Sequence, residues 1–212
     1  MGDVQDPRQG DSVYRPIVAF DFDGTLTTKD SFVAFLRWRA GPFRYCSGVI
    51  KMLPELIAYL AYRDRGRLKA AALRTFLKGV EKSHFEDDAR RFAERRARSL
   101  LRPDAVRAWR SWQGRHARLA IVTAAPEAIA APFARGLGAH ALIATQVEYD
   151  AEGRITGRLD GPNCRGQEKV RRLKEVFGDD FRLEAAYGDT DGDKPMLAIA
   201  EERGFKVFQG AP

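Results

Sequence analysis

The sequence predicts an α/β protein: a mostly parallel sheet with helices on both faces and a helical insert after the first strand. Three observations predict it. Apolar, strand-like runs alternate with helical patterns through most of the chain, which is the mark of a parallel sheet. About a hundred residues separate the first run from the second, far more than an ordinary crossover uses. Asp21 and Asp23 stand at the end of the first run, at the sheet edge where folds of this class bind ligands.

The strand-like runs are residues 17–22, 119–123, 142–147, 184–187 and 205–208. Helical patterns over 127–135, 167–177 and 195–202 precede the third, fourth and fifth. Residues 147–159 read as a hairpin with Ala151-Glu152-Gly153 at its tip. Residues 30–105 form the helical insert, which leaves 16–29 and 106–212 as the core. Asp30-Ser31 supplies an N-cap for a first insert helix over 32–39. Further insert helices cover 65–78 and 85–101. Residues 1–15 are polar, rich in Gly, Pro and Asp, and lack an apolar signal core, so they read as a loose tail.

Composition narrows the function. With 212 residues, 44% hydrophobic and 31% charged, the chain suits one soluble core plus an inserted smaller unit. Two distant cysteines, Cys46 and Cys164, make neither a metal cluster nor a disulfide framework and fit a reducing cytoplasm. The net charge of +7 is uneven. Residues 31–104 hold 17 Lys+Arg against 8 Asp+Glu, and the remainder holds 19 against 21. A basic face beside an acidic site fits an anionic substrate or an anionic membrane, although solvated helix faces account for most of these arginines. The basic segment has no nucleic-acid recognition motif or aromatic stacking set, so no nucleic-acid partner is expected. Residues 49–62 are apolar around most of a helix surface, interrupted by Lys51, Pro54 and Glu55. The run is too short for a membrane span. It reads either as a helix buried in the insert or as an interfacial helix on anionic lipid, beside Arg37, Arg39, Arg44 and Arg63.

Four motifs carry the chemistry. In Asp21-Phe22-Asp23-Gly24-Thr25, a turn accounts for Asp23, but Asp21 still lies within the apolar run. Two carboxylates this close call for a positive partner, such as a divalent cation, or for a carboxylate that attacks an electrophile. Thr123 closes the second strand. Lys169 opens a helix after Asn163-Cys164-Arg165-Gly166. Gly188-Asp189-Thr190-Asp191-Gly192-Asp193 follows the fourth strand. Singly, these read as a strand-end cap, a solvated lysine and a turn. Together they fall on one edge of one sheet.

These motifs resemble those of the haloacid dehalogenase (HAD) superfamily of phosphohydrolases. The insert after the first motif is similar to the phosphoserine-phosphatase-like subfamily IB. Leu142-Ile143-Ala144-Thr145-Gln146, the hairpin and Cys164-x-Gly166-x-x-Lys169 resemble the phosphatidylglycerophosphatase C-type proteins. The resemblance implies a Rossmann-like core with a helical cap, and magnesium-dependent hydrolysis of a phosphomonoester through an aspartyl phosphate. It implies Asp21 as nucleophile and Asp23 as acid and base. Thr123 and Lys169 would hold the phosphoryl oxygens. Asp21, Asp189 and the main-chain carbonyl of Asp23 would hold Mg2+. Asp193 would orient Lys169 or the metal's waters, and the N–H groups at Asp23 and Gly24 would complete the cradle. A phospholipid substrate such as phosphatidylglycerophosphate would place the protein in the cytoplasm, in peripheral contact with an anionic inner membrane surface. The phosphoserine branch has a glycine two residues after its second-motif hydroxyl. Here Ala124-Ala125-Pro126 follow Thr123, which argues against a small amino-acid phosphate. Asp30 matches that branch's ligand for the substrate ammonium, and equally matches a helix N-cap. The rival readings are a phosphatase of a small soluble metabolite and a non-catalytic regulatory or membrane-docking module.

Overall fold

A computed structural model describes residues 15–212; the expected tail lies outside the described residues except at Arg15. β1 (Ile17–Phe20) is the central strand, flanked in parallel by β2 (Arg118–Pro126) and β5 (Leu183–Gly188). β3 (Ala141–Tyr149) and β6 (Ala200–Phe205) continue the parallel sheet outward. β4 (Ile155–Asp160) closes one edge antiparallel to β3. The order is β4-β3-β2-β1-β5-β6. All four residues of β1 are buried, as expected of a strand covered on both faces. Val18 and Phe20 join Leu119, Ile121 and Tyr187 in one layer, while Ile17 and Ala19 join Ala120, Val122 and Leu183 in the other. The expected hairpin is present, with Val147 opposite Leu159 and Gly153 at φ +73° in the tip.

Four helices form the insert: α1 (Ser31–Lys51), α2 (Leu53–Tyr62), α3 (Arg65–Phe76) and α4 (Lys82–Leu100). Two antiparallel connectors join it to the core. The Thr28 amide donates to the Leu100 carbonyl at 2.8 Å, and the Arg102 amide donates to the Leu26 carbonyl at 2.8 Å. Beyond them, α5 (Pro103–Gly114) packs on the sheet, a helix the sequence reading did not include. α6 (Glu127–Leu137), α7 (Gln167–Phe177) and α8 (Lys194–Ala198) complete the layers. A row of aromatic rings ties cap to core. Phe22 meets Phe133 at 5.3 Å, Phe133 meets Phe92 at 6.2 Å, and Phe92 meets Phe35 at 5.6 Å. Edge contacts of this kind favour a fixed orientation beyond area burial alone.

Three expectations need correction. The last strand is Ala200–Phe205, not 205–208, and the helix before it ends at Ala198, not at 202. Glu201-Glu202-Arg203 looks helical because it is charged, yet it lies on an exposed sheet edge where charge is tolerated. Glu202 accepts the Tyr187 hydroxyl at 2.7 Å, and Gly204 lies against the Tyr187 ring, where a Cβ would come within 2.2 Å. The first insert helix does not end at 39; it runs to Lys51 across a break at Gly41, whose φ is +71°. The run over 49–62 is not one buried helix. It is the end of α1 and the whole of α2, with Pro54 in the first turn, and no residue of α2 is buried.

Trp109 of α5 is fully buried, packs tilted against Phe20 with ring centroids 5.1 Å apart, and donates its Nε1–H to the Leu137 carbonyl at 2.9 Å. Trp109→Ala should therefore cost about 3–5 kcal/mol in denaturant unfolding, the range for emptying a large aromatic site. A loss near zero would mean that α5 does not anchor the central strand.

Candidate functional site

The carboxyl ends of β1, β2 and β5 and the first turn of α7 converge on one point. Lys169 lies there, 1% exposed. Its Nζ donates to Asp21 Oδ1 at 2.6 Å, to Asp193 Oδ1 at 2.7 Å and to the Val122 carbonyl at 2.6 Å. All three ammonium hydrogens are thus used. Burial alone would lower the lysine pKa, but Asp21 and Asp193 outweigh it and hold the ammonium above the ordinary lysine range. Burial pushes the Asp21 carboxyl up to about 6, with Lys169 pulling the other way. Burial also opposes ionisation of Asp193, yet Lys169 and the Thr190 donors keep its pKa below the usual value.

Asp21 and Asp23 sit on either side of Phe22 at the start of a tight turn. That turn closes when the Thr27 amide donates to the Phe22 carbonyl at 2.9 Å. Gly24 makes the turn possible in two ways. Its φ is +84°, and a Cβ there would lie 2.2 Å from Asp189 Oδ2. Asp23 Oδ1 accepts the Ser31 amide at 2.8 Å. Burial, then the charge of Asp30, push the Asp23 carboxyl up to about 8, which favours its protonated form. Thr123 is buried, and its hydroxyl accepts the Ala125 amide at 2.9 Å.

Asp189 is half-buried and accepts the Thr25 hydroxyl at 3.4 Å; burial raises its pKa, and Asp193 adds to the rise. Carboxylate oxygens of Asp21, Asp189 and Asp193 lie within 4.8 Å of one another. Hard oxygen donors in this number suit Mg2+. Asp193 is already engaged on both oxygens: Oδ1 takes Lys169, and Oδ2 takes the Thr190 amide at 2.9 Å and its hydroxyl at 2.9 Å. Asp21 and Asp189 are less committed, so they are the carboxylates best placed to hold a cation.

Every core residue expected from the sequence is therefore at one place: Asp21, Asp23, Gly24, Thr123, Lys169, Asp189 and Asp193. Asp30 lines the same cavity, and it also caps α1 by accepting the Val33 amide at 2.8 Å. The cavity holds about 460 Å³ between core and insert. Its floor is Asp21, Asp23, Thr123 and Lys169, and its far wall is apolar, with Leu36, Val49, Met52 and Leu56.

Sequence reasoning missed Lys69. From α3 it reaches across the cavity, where its Nζ donates to the Ala124 carbonyl and to Asn163 Oδ1, the latter at 2.9 Å. Burial lowers its pKa to about 8, while Asp23 and Asp30 draw it back up. The available signal was a single lysine set between Leu68 and Ala70-Ala71-Ala72.

Comparison with known proteins accords with this geometry. Protein CicA of Caulobacter vibrioides is 60% identical over 207 residues, covering 97% of this chain and 93% of its own. A solved protein of unknown function from Bordetella pertussis Tohama I is 26% identical with a TM-score of 0.73, covering 87% of this chain and 86% of that one. A phosphoserine phosphatase solved as a phospho-aspartyl intermediate analogue shares the fold at 18% identity, with a TM-score of 0.59 and coverage of 88% and 83%. The family model for haloacid dehalogenase-like hydrolases matches residues 18–198, and the chain belongs to that family.

Proposed function

We propose that the chain is a magnesium-dependent phosphomonoesterase working through an aspartyl phosphate on Asp21. The observation that carries this reading is the pairing of two carboxyls of opposite character on one turn. Asp21 is held 2.6 Å from a buried ammonium, and Asp23, accepting the Ser31 amide at 2.8 Å, has its pKa raised by burial. Asp21 attacks phosphorus. As the bond from phosphorus to the leaving oxygen breaks, Asp23 gives that oxygen its proton. Asp23, now a base, takes a proton from the water that attacks the aspartyl phosphate, and Asp21 is released as a carboxylate. Thr123 and the N–H groups of Asp23 and Gly24 hold the phosphoryl oxygens, while Lys169, kept in place by Asp193, offsets their charge without giving up its three hydrogen bonds. Asp21, Asp189 and the Asp23 carbonyl would hold Mg2+, which supplies positive charge against the phosphoryl oxygens.

The insert, taken as residues 30–105 on a core of 16–29 and 106–212, acts as the cap that selects the substrate. We favour a phospholipid phosphate such as phosphatidylglycerophosphate. The cavity is larger than an amino-acid phosphate needs, and its cap wall is apolar. Lys69 then reads the anionic end of the substrate near the phosphate. Two free cysteines, Cys46 and Cys164, support a cytoplasmic location.

A panel of phosphomonoesters, with phosphoserine and phosphatidylglycerophosphate in mixed micelles, tests the reading. Hydrolysis should stop in EDTA and return with Mg2+. Asp189→Ala should raise the magnesium requirement roughly tenfold or more. Full turnover without a divalent ion would contradict the mechanism, and a preference for phosphoserine would contradict the substrate.

Lys69→Ala should raise KM about tenfold or more with little change in kcat, as loss of a charged contact to bound substrate does. A lysine loses its charge as pH rises through its pKa, here about 8. Wild-type KM should therefore rise on the alkaline side of that value, and the variant's should not. Parallel pH profiles would remove Lys69 from substrate recognition.

A further inference from the structure

The six most exposed large hydrophobic side chains among the described residues all lie within 43–62. They are Phe43 (89%), Tyr62 (75%), Ile50 (70%), Leu60 (66%), Ile57 (61%) and Leu53 (53%). They belong to one arm, the part of α1 after Gly41 together with α2. α2 carries two apolar stripes. Met52 at its N-cap, Leu56 and Tyr59 face the cavity, while Leu53, Ile57 and Leu60, at i, i+4 and i+7, face outward. A helix that is apolar all round belongs in an interior or in a lipid. This one has an interior on one side only. The α1 part of the arm is pinned to α3, where Tyr45 stacks on Phe76 at 5.7 Å and Gly48 leaves room for the same ring.

The charge around the outer stripe says what covers it. Arg44, Lys51 and Arg63 are exposed and form no ion pair among the described residues, and Arg65 lines the cavity. The two acids nearby are committed: Glu55 to Arg67 at 2.9 Å, and Asp64 to the N-cap of α3. An apolar stripe with an unopposed basic fringe is the pattern of a helix lying in an anionic bilayer surface. A second copy of the chain would bring like charges face to face. No helix among the described residues is long and apolar enough to cross a membrane, so the contact is with the surface.

We propose that the arm over residues 42–62 docks the protein on an anionic phospholipid bilayer, with Leu53, Ile57 and Leu60 in the interfacial layer. The same arm walls the cavity, so docking sets the apolar side of the site against the bilayer. An amphiphilic phosphomonoester can then enter with its phosphate toward Asp21 while its apolar part stays in contact with lipid. The choice of a bilayer rests in part on the lipid-phosphate reading above.

The test is sedimentation with vesicles of phosphatidylglycerol and phosphatidylcholine, compared with vesicles of phosphatidylcholine alone. Turnover of the soluble ester p-nitrophenyl phosphate is measured in parallel. Wild-type protein should bind the anionic vesicles at low salt and release as salt rises, because the attraction is screened. Ile57→Ser/Leu60→Ser should weaken binding at least about tenfold, since two large apolar groups no longer leave water. Both residues are exposed and lie outside the cavity lining, so circular dichroism and p-nitrophenyl phosphate turnover should be unchanged. Arg44→Glu/Lys51→Glu should weaken anionic binding without changing the fold. Absent vesicle binding, equal binding by the Ser variant, or a dimer in wild type that this variant dissolves would each overturn the proposal. Loss of p-nitrophenyl phosphate turnover in wild type would instead overturn the phosphatase reading and leave docking to be judged by sedimentation alone.

Discussion

One ammonium group, Lys169 Nζ, sets the terms for the rest of the site. It is buried, saturated with three acceptors, and shared between Asp21 and Asp193. Burying a charge is costly unless it is paired and fully hydrogen-bonded, and here it is both. Three carboxyls nevertheless gather around that one cation, Asp21, Asp189 and Asp193, and Asp23 follows two residues after Asp21. Lys169 and the Thr190 donors keep Asp193 ionised. Burial and the charge of Asp30 raise the Asp23 pKa to about 8. Asp21 and Asp189, both with raised pKa values, carry the charge that remains. That residual charge is the physical reason the cluster suits a divalent cation.

The fold exists in the form that makes this meeting possible. β1 ends at Phe20, and Asp21 follows where the strand leaves the sheet. Lys169 comes from the first turn of α7, and its segment is clasped to the Asp189–Asp193 loop. The Gly166 amide donates to the Gly192 carbonyl at 2.8 Å, and Arg165 reaches the Thr190 hydroxyl at 3.2 Å. The aromatic row begins at Phe22, between the two acids of the first motif. The packing of the cap is therefore tied directly to the turn that carries them.

Much of this was legible in the sequence because its signals are local. A carboxylate inside an apolar run, a glycine just past it, and an Asp-x-x-x-Asp loop each show within a few residues. Lys169 needed only its place at a helix start. What was not legible depends on distant partners. Lys69 matters because of Ala124 and Asn163, far along the chain, and nothing adjacent to it predicts them. The edge strand 200–205 is charged, so its composition suggests helix, and only its pairing with β5 makes it a strand. The split of α2 into a cavity face and an outer face could not be read from a run that is apolar all round.

The central claim is that phosphorus becomes bonded to Asp21, and it can be tested by chemical trapping. Wild-type protein is mixed with substrate and Mg2+, quenched in acid, reduced with borohydride and digested. Borohydride reduces an aspartyl phosphate to homoserine. The account predicts homoserine at position 21, dependent on substrate and absent from a folded Asp21→Asn variant that no longer turns over. Homoserine at Asp23 or Asp189, or unimpaired turnover by Asp21→Asn, would contradict it.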